Sequence, residues 1–483
     1  MTHTASRRAS TRKPGRIGAR SSAADRKPVL SFLGAAGCVT GSRFRVEGAE
    51  ASVLVDAGLY QGSADLRRRN WEPPGFDPAD LDAVVLTHAH LDHTGYLPRL
   101  AREGFRGRVL CTRETAQLAE IVLRDSAHLQ EEDAAYANDA GFSKHHPALP
   151  LYDARDVELV LPLLEPVAYG ERVPVSGRTS VTLHRAGHIL GSATALVEVD
   201  GARILFSGDL GRPHHPLLEP PEDPPEADAV VVESTYGDRN HPADDGGALL
   251  ADVVSRTVSR GGTVLIPAFA VDRTELVLLA LRDLREAGRI PDVPIYVDSP
   301  MALSALQIYR SAAHRPGSGM ARTAPGLMSG HVVEIRDAAS SQRLNKPKDP
   351  CILISASGMA TGGRVVHHLR YQLPDPRNSV VLTGYQAEGT RGRQLAEGAT
   401  QVKMHGRYVP VRAEVVQLPT MSVHADAREL VAWLGRMPRA SSSTVAYVVH
   451  GEGRSTAALA GRIREELGWC AVAPRLGERV VIG

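Results

Sequence analysis

The segment THAHLDH, Thr87–His93, follows directly on the apolar run Ala83-Val84-Val85-Leu86 and packs three imidazoles and a carboxylate into consecutive turns of chain. A helix face repeats every 3.6 residues and a strand face every two, so neither has a packing use for H-x-H-x-D-H. A loop at a strand's C-terminal end can instead fold His88 and His90 toward one cation and Asp92 and His93 toward a second. Neutral imidazole and carboxylate are the ligands that zinc-like cations take. The motif marks a metal site, and the fold must bring further donors to it.

The 483 residues exceed one ordinary core, which predicts two domains. Apolar content of 43% with 5% aromatics fits a globular chain rich in Ala, Val and Leu. The net charge of +1 provides no global field for nucleic acid, so any basic surface is local. Cys38, Cys111, Cys351 and Cys470 form no C-x-x-C and read as core thiols in a reducing compartment. No apolar run reaches the ~20 residues of a membrane span. No secretory apolar segment appears, so the expected location is the cytoplasm. Residues 1–27 differ: Arg7, Arg8, Arg12, Lys13, Arg16 and Arg20 alternate with small residues, and no acid precedes Asp25. A transit peptide has similar composition; the reading taken is a disordered basic tail with weak attraction for phosphates.

Short strand-like runs fill the first region: Val29–Leu33, Ala51–Val55, Ala83–Leu86, Ser180–His184, Ala195–Val199 and Arg203–Phe206. A long helix is predicted over Glu114–Ala140, with Leu118, Ile121, Val122 and Leu129 near one face. Pro213–Pro225 reads as a linker. Beyond it the rhythm becomes strand, loop, helix, with the fully apolar runs Ala229–Val232, Thr263–Ile266, Ile295–Val297, Cys351–Ile354 and Val380–Leu382, as buried parallel strands require. Asp272 with Glu275 predicts an N-capped helix ending at Gly288. Near Met421 strand-rich character returns, with Val445–Val449, a helix about Thr456–Leu467 and a last strand Arg479–Ile482. The doubly wound α/β unit therefore reads as an insertion into the first domain.

Two further segments have donors at strand ends. RAGHILGSA places His188, and FSGDLG places Asp209, whose carboxylate suits a bridge between cations ~3.5–4 Å apart. One more ligand is needed, and His450 in YVVHGEG is the best candidate.

The series VDAGLYQG, THAHLDH, AGHILGS and SGDLG resembles the metallo-β-lactamase superfamily. ESTYGDRNH at Glu233, MSVHADA at His424 and VVHGEG at His450 look like motifs A, B and C of its β-CASP branch, which processes nucleic acids. IPAFAVDRTELVLLAL, YVDSPMA and SASGMATGGRVVHHL are similar to the β-CASP domain of bacterial and archaeal ribonucleases related to the polyadenylation-factor endonuclease. The resemblance runs from Val29 to the C-terminus. It implies an α/β fold, an αββα metallo-β-lactamase sandwich (28–236 and 422–483) with an inserted doubly wound β-CASP domain (237–421).

It also implies two Zn²⁺ ions. His88, His90 and His188 would hold one, Asp92, His93 and His450 the other, and Asp209 would bridge. Asp56 would orient the site from behind the ligands. Glu233 and His424 would pair beside the metals, with His424 as general acid. In this branch members acting on RNA carry histidine at motif C, so His450 implies RNA. The expected function is a zinc-dependent ribonuclease cleaving single-stranded RNA, a compact endonuclease-like member. The alternatives are a thioester, lactone or β-lactam hydrolase on the same scaffold, or a catalytically silent RNA-binding subunit.

The Gly-rich stretch Ser355–Arg364, including Ser357, Gly358 and Gly362, could present N–H groups to a phosphate. It matches neither G-x-G-x-x-G nor the Walker pattern, so no nucleotide cofactor is expected. Arg273, Arg391 and Arg393 are candidates for lining an RNA path. The pairs His145-His146, His214-His215 and His367-His368 read as surface residues, with His367 or His368 near substrate as the exception allowed. Cys38 stands where relatives have a polar or acidic residue and suggests sensitivity to oxidation. A homodimer is left open.

Overall fold

The computed structural model describes residues 27–141, 143, 145–243, 247–321, 332–438 and 444–483. The predicted basic tail lies outside them apart from Lys27. The first stretch forms β1 (Val29–Phe32), β2 (Phe44–Glu47), β3 (Ser52–Val55), β4 (Ala83–Val85), β5 (Arg108–Cys111), β6 (Leu164–Pro166), β7 (Arg172–Ser176), β8 (Thr179–Arg185), β9 (Ala193–Val199), β10 (Ala202–Phe206) and β11 (Ala229–Val232). The middle stretch adds β12 (Val264–Pro267), β13 (Ile295–Val297), β14 (Val332–Glu334), β15 (Ile352–Ser355), β16 (Ser379–Leu382), β17 (Gln401–Met404), β18 (Arg407–Pro410) and β19 (Glu414–Gln417). The returning chain supplies β20 (Val445–Val448), β21 (Cys470–Val472) and β22 (Arg479–Val481).

Two seven-stranded sheets, ordered β22-β1-β2-β3-β4-β5-β6 and β21-β20-β11-β10-β9-β8-β7, face each other. Their shared core follows from alternation along each strand. Leu30, Phe32, Phe44, Val46, Val53 and Val55 meet Val181, Leu183, Ala195, Val197, Ile204, Phe206 and Tyr447. Phe44 lies 5.9 Å from Phe206 and Phe32 5.2 Å from Tyr447, between ring centroids. The opposite faces are covered by helices. Leu54, Val84 and Val109 pack on Leu97, Leu100, Leu123 and Val157, while Leu205, Val230 and Val448 pack on Leu430, Trp433 and Leu459. The result is an αββα sandwich.

The inserted sheet runs β14-β13-β15-β12-β16-β19, with parallel pairing throughout. Its central strands β12, β15 and β16 are apolar on both faces: Val264, Ile266, Ile352, Ile354 and Val381 point into one core, Leu265, Leu353, Val380 and Leu382 into another. Helices on both sides explain why these runs do not alternate with polar residues. The first of these cores continues into the sandwich. It takes in Leu118, Ala119 and Val122 of the helix Arg113–Asp139, and Ala89, Ile189 and Leu190 from the loops that carry His88, His90 and His188.

Several expectations are corrected. Ala229–Val232, which its apolar character groups with the second region and the resemblance with the sandwich, is β11 of the sandwich, parallel between β10 and β20; an apolar run reveals burial on two faces but not which sheet provides it. Pro213–Pro225 is no free linker, since Leu217 and Leu218 are buried in the core shared by sandwich and insert. Asp272 does not cap the helix Arg273–Glu286: its φ is +71° and its carboxylate accepts from His215 Nε2 (3.0 Å) and Tyr309 OH (2.8 Å) instead. Glu275 is fully buried, and burial with the charge of Asp272 raises its pKa well above the carboxylate range. Cys470 is exposed rather than a core thiol. The strands Phe44–Glu47 (FRVE) and Arg108–Cys111 (RVLC) went unanticipated because charged residues interrupt or open their short apolar runs.

Leu217→Ala should lower stability by about 2–5 kcal/mol in urea unfolding, the cost of a core truncation; a free linker would show no change.

Candidate metal centre

Each candidate ligand sits just past the C-terminal end of a strand: His88–His93 after β4, His188 after β8, Asp209 after β10 and His450 after β20. These ends lie on one edge of the sandwich. Asp92 and His93 occupy a single helical turn, Leu91–Thr94. Two motif glycines are required by close approach. A Cβ at Gly58 would stand 1.6 Å from Asp92 O, and one at Gly208, where φ is +53°, would stand 2.6 Å from Thr87 Cβ.

Ligand atoms of His88, His90, His188 and Asp209 lie within 4.8 Å of one another, as do those of Asp92, His93 and His450. Asp209 also meets the second group, with Oδ1 at 3.3 Å from His93 Nε2 and 3.4 Å from His450 Nδ1. Its Oδ2 lies 3.5 Å from His88 Nε2 and 3.6 Å from His188 Nε2. Burial lowers His88 and His188 well below the usual imidazole range and takes His90 down to about 4. These three rings are therefore neutral, with nitrogen lone pairs 3.1–3.3 Å apart and converging. Burial acts on His93 and His450 too, but Asp209 and Asp56 lift His93 well above its ordinary value, and Asp209 with Asp92 lifts His450. Burial would raise Asp209, yet the charges of His450 and His93 hold it well below the carboxylate range. His93 Nε2 and His450 Nε2 face each other at 3.3 Å, and Asp209 Oδ1 has no hydrogen-bond partner among the described residues. Facing imidazole nitrogens around a buried carboxylate fit a divalent cation.

Behind these groups, Asp56 accepts from Thr87 N (2.8 Å), Thr87 Oγ1 (2.9 Å) and His93 Nδ1 (2.7 Å). That fixes the His93 tautomer so that Nε2 faces inward. Asp56 (φ +59°) and His450 (φ +49°) both hold left-handed backbone, a strain that the surrounding bonds sustain. The loop after His188 is held from several sides: Ser192 Oγ accepts from His188 N (2.9 Å), Thr112 and Thr115 hydroxyls donate to Gly191 O, and Tyr309 OH accepts from Leu190 N (3.0 Å). Tyr309 belongs to the insert.

His424 Nδ1 lies 3.2 Å from Glu233 Oε2, and its ring centroid is 4.4 Å from that of His188. Glu233 Oε1 accepts from Leu210 N at 2.6 Å, next to Asp209. Glu233, Asp209 and His450 also form a possible donor group, but the bonds of Glu233 direct it to His424. Phe269 stands 6.0 Å from His90 and Tyr236 6.1 Å from His424, between ring centroids. Tyr385 OH donates to Glu452 Oε1 (2.7 Å), bridging insert and sandwich beside motif C.

Three family models match in order: the Metallo-beta-lactamase superfamily over residues 37–252, the Beta-Casp domain over 274–395 and the Zn-dependent metallo-hydrolase RNA specificity domain over 408–474. The chain is 39% identical to Ribonuclease TTHA0252 of Thermus thermophilus over 93% of its own length and 99% of that protein. It is 32% identical to the RNase J-like protein of Methanocaldococcus jannaschii, covering 88% and 92%, and 30% identical to Transcription termination factor FttA of the same organism, covering 88% and 67%. The chain belongs to the metallo-β-lactamase β-CASP ribonuclease family.

In this β-CASP protein the remaining candidates are differently placed. Ser355 is buried and donates to Asp298 O (3.0 Å); Arg364 is spent on Asp298 Oδ1 (2.6 Å) and Ile335 O. Neither is free for a phosphate, because Asp298 at the end of β13 recruits them. Ser357 is engaged with Thr361 (3.0 Å), Gly358 packs against Phe269, and Gly362 is open. Arg273 is 4% exposed, set into the wall beside Gly384 rather than on an open basic surface. Arg391 holds the carbonyls of Lys403, Ala360 and Thr361, and Arg393 holds Glu397, Gln386 O and Glu452. Two rejected histidines are not surface residues. His215 accepts from Leu217 N and Leu218 N on Nδ1 and donates to Asp272, while His368 is buried against Asp298 Oδ2 at 2.7 Å. Their carboxylate partners lie 57 and 70 residues away, beyond the reach of local motif reading. Burial raises the pKa of Cys38, which disfavours the reactive thiolate.

Metal affinity of the Asp92–His93–His450 group should rise with pH. Both imidazoles hold protons above their ordinary pKa, and a cation must displace them. Competition titrations between about pH 6 and about pH 8 should show tightening and proton release; pH-independent uptake would contradict the assignment. Tyr309→Phe should leave Leu190 N–H and Asp272 short of partners, cost about 1–3 kcal/mol and weaken metal retention by the His188 group, read by unfolding and metal analysis.

Proposed function

We propose that this chain is a zinc-dependent ribonuclease that hydrolyses phosphodiester bonds of single-stranded RNA, and that Asp209 would serve both of its two Zn²⁺ ions. The observation that carries this reading is one buried carboxylate shared by two sets of donors, with the Glu233–His424 pair directly beside it. The names of the relatives, two ribonucleases among them, favour RNA as substrate. When bound, the cations supply an activated water at neutral pH and neutralise charge on the phosphoryl oxygens.

The chain's own residues do the rest. His88, His90 and His188 would hold one cation, and Asp92, His93 and His450 the other, with Asp56 fixing His93. Hydrolysis adds water to phosphorus and breaks the P–O bond to the leaving nucleoside, whose oxygen needs a proton. Glu233 occupies His424 Nδ1, which leaves Nε2 to deliver that proton, a role worth ~10²–10⁴-fold. Phe269 from the insert and Tyr236 from the end of the hydrolase segment crowd the centre, which suits a single strand that can splay its bases and excludes a duplex. Residues 28–236 and 422–483 form the hydrolase domain in this reading and 237–421 the substrate-restricting insert. Unpaired cysteines suit the reducing cytoplasm as its setting.

His424→Ala should keep both metals and lose about 10²–10⁴-fold in turnover, whereas Asp209→Ala or His450→Ala should lose metal as well. RNA labelled at each end in turn should give internal fragments, with duplex cut poorly. Full activity of the His424 variant removes that residue from the mechanism, and hydrolysis of a chromogenic ester without RNA cleavage overturns the substrate.

A further inference from the structure

The wall beside the metal centre contains a guanidinium whose hydrogen-bonding capacity is largely unmet. Arg273 begins the helix Arg273–Glu286 and is 4% exposed, yet neither Nε nor Nη1 has a hydrogen-bond partner among the described residues. The adjacent Asp272 attracts it through space but gives it no hydrogen bond, because its oxygens serve His215 and Tyr309. A buried charge left unpaired is strongly unfavourable, and a fold retains one where something outside the chain completes it. Its position indicates what that is. A methyl group at Gly384 would stand 3.7 Å from Arg273 Nη2 and 3.4 Å from Phe269 Cε2, so the guanidinium and Phe269, the ring that contacts His90, both border the space at Gly384. It also acts electrostatically on the phenol of Tyr236, the ring that contacts His424. Arg273 thus lies among the two aromatic side chains flanking the candidate ligands, and Gly384 adds no side chain to obstruct it.

We propose that Arg273 is a phosphate-binding residue for the substrate strand, holding an RNA backbone phosphate next to the one being hydrolysed while Phe269 and Tyr236 offer their faces to the flanking bases. The planar fork of a guanidinium matches two phosphate oxygens, and its partial desolvation makes that pairing stronger than a surface contact. Base–aromatic stacking beside a backbone cation is how single strands are held without sequence readout. The inference rests on the ribonuclease reading.

Its test uses the full metal-loaded chain carrying His424→Ala, so that a fluorescein-labelled single-stranded oligouridylate is bound and not consumed. Adding Arg273→Gln should weaken binding by about tenfold or more and make the plot of log Kd against log salt shallower by about 0.7, one phosphate contact. Arg273→Lys should recover part of the affinity and of the slope. Removing an unpaired buried charge should leave the melting midpoint and metal content unchanged or higher, which a structural arginine would not do. Equal affinity and slope in Arg273→Gln overturn the proposal, as does a variant that unfolds or loses metal. A parent protein that binds no RNA defeats the ribonuclease reading, and this inference with it.

Discussion

The buried carboxylate of Asp209 sets the terms for the rest of the molecule. It lies within 3.6 Å of nitrogens of His88, His93, His188 and His450, where little water can stabilise its charge. Positive charge must therefore be supplied locally. Without a cation, His93 and His450 supply it by holding protons, while burial keeps His88, His90 and His188 neutral. A divalent cation in the Asp92–His93–His450 group would replace those protons with a stronger charge, which links folding, pH and metal at one point.

That arrangement depends on two sheets presenting their strand ends along one edge. β3, β4, β8, β10, β11 and β20 end there, and the residues just beyond them are Asp56, the THAHLDH loop, His188, Asp209, Glu233 and His450. Strands that converge from distant parts of the chain bring together groups that no local segment could hold. The left-handed backbone of Asp56 and His450 shows how tightly the loops are drawn in. The insert contributes rigidity as well as cover. Its core runs unbroken into Ala89, Ile189 and Leu190, and Tyr309 bonds directly to the loop of His188. Displacing the insert would therefore disturb the metal ligands, not only the path to them.

Legibility in the sequence followed the range of the interactions. The ligand motifs could be read because strand, glycine and donor succeed one another within a few residues: Gly58 must be small to pass Asp92 O, and Gly208 to pass Thr87. Long helices and apolar parallel strands could be read because period and composition repeat over many residues. The buried pairs His215–Asp272 and His368–Asp298 could not, since each joins segments far apart and the same histidine on a surface would look identical in sequence. Asp272 looked like an N-cap by position, but a distant histidine and tyrosine outcompeted the helix for its oxygens. Arg273 looked like an exposed basic residue until packing enclosed it.

The sequence by itself determined the donor chemistry, the order of the motifs and the two-region build, because each is encoded in contiguous residues whose spacing admits few conformations. Only the tertiary structure decided which polar groups became buried, which of them found partners and which were left to meet something from outside. Burial and pairing are set by contacts across hundreds of residues, and those exist only once the sheets have closed on one another.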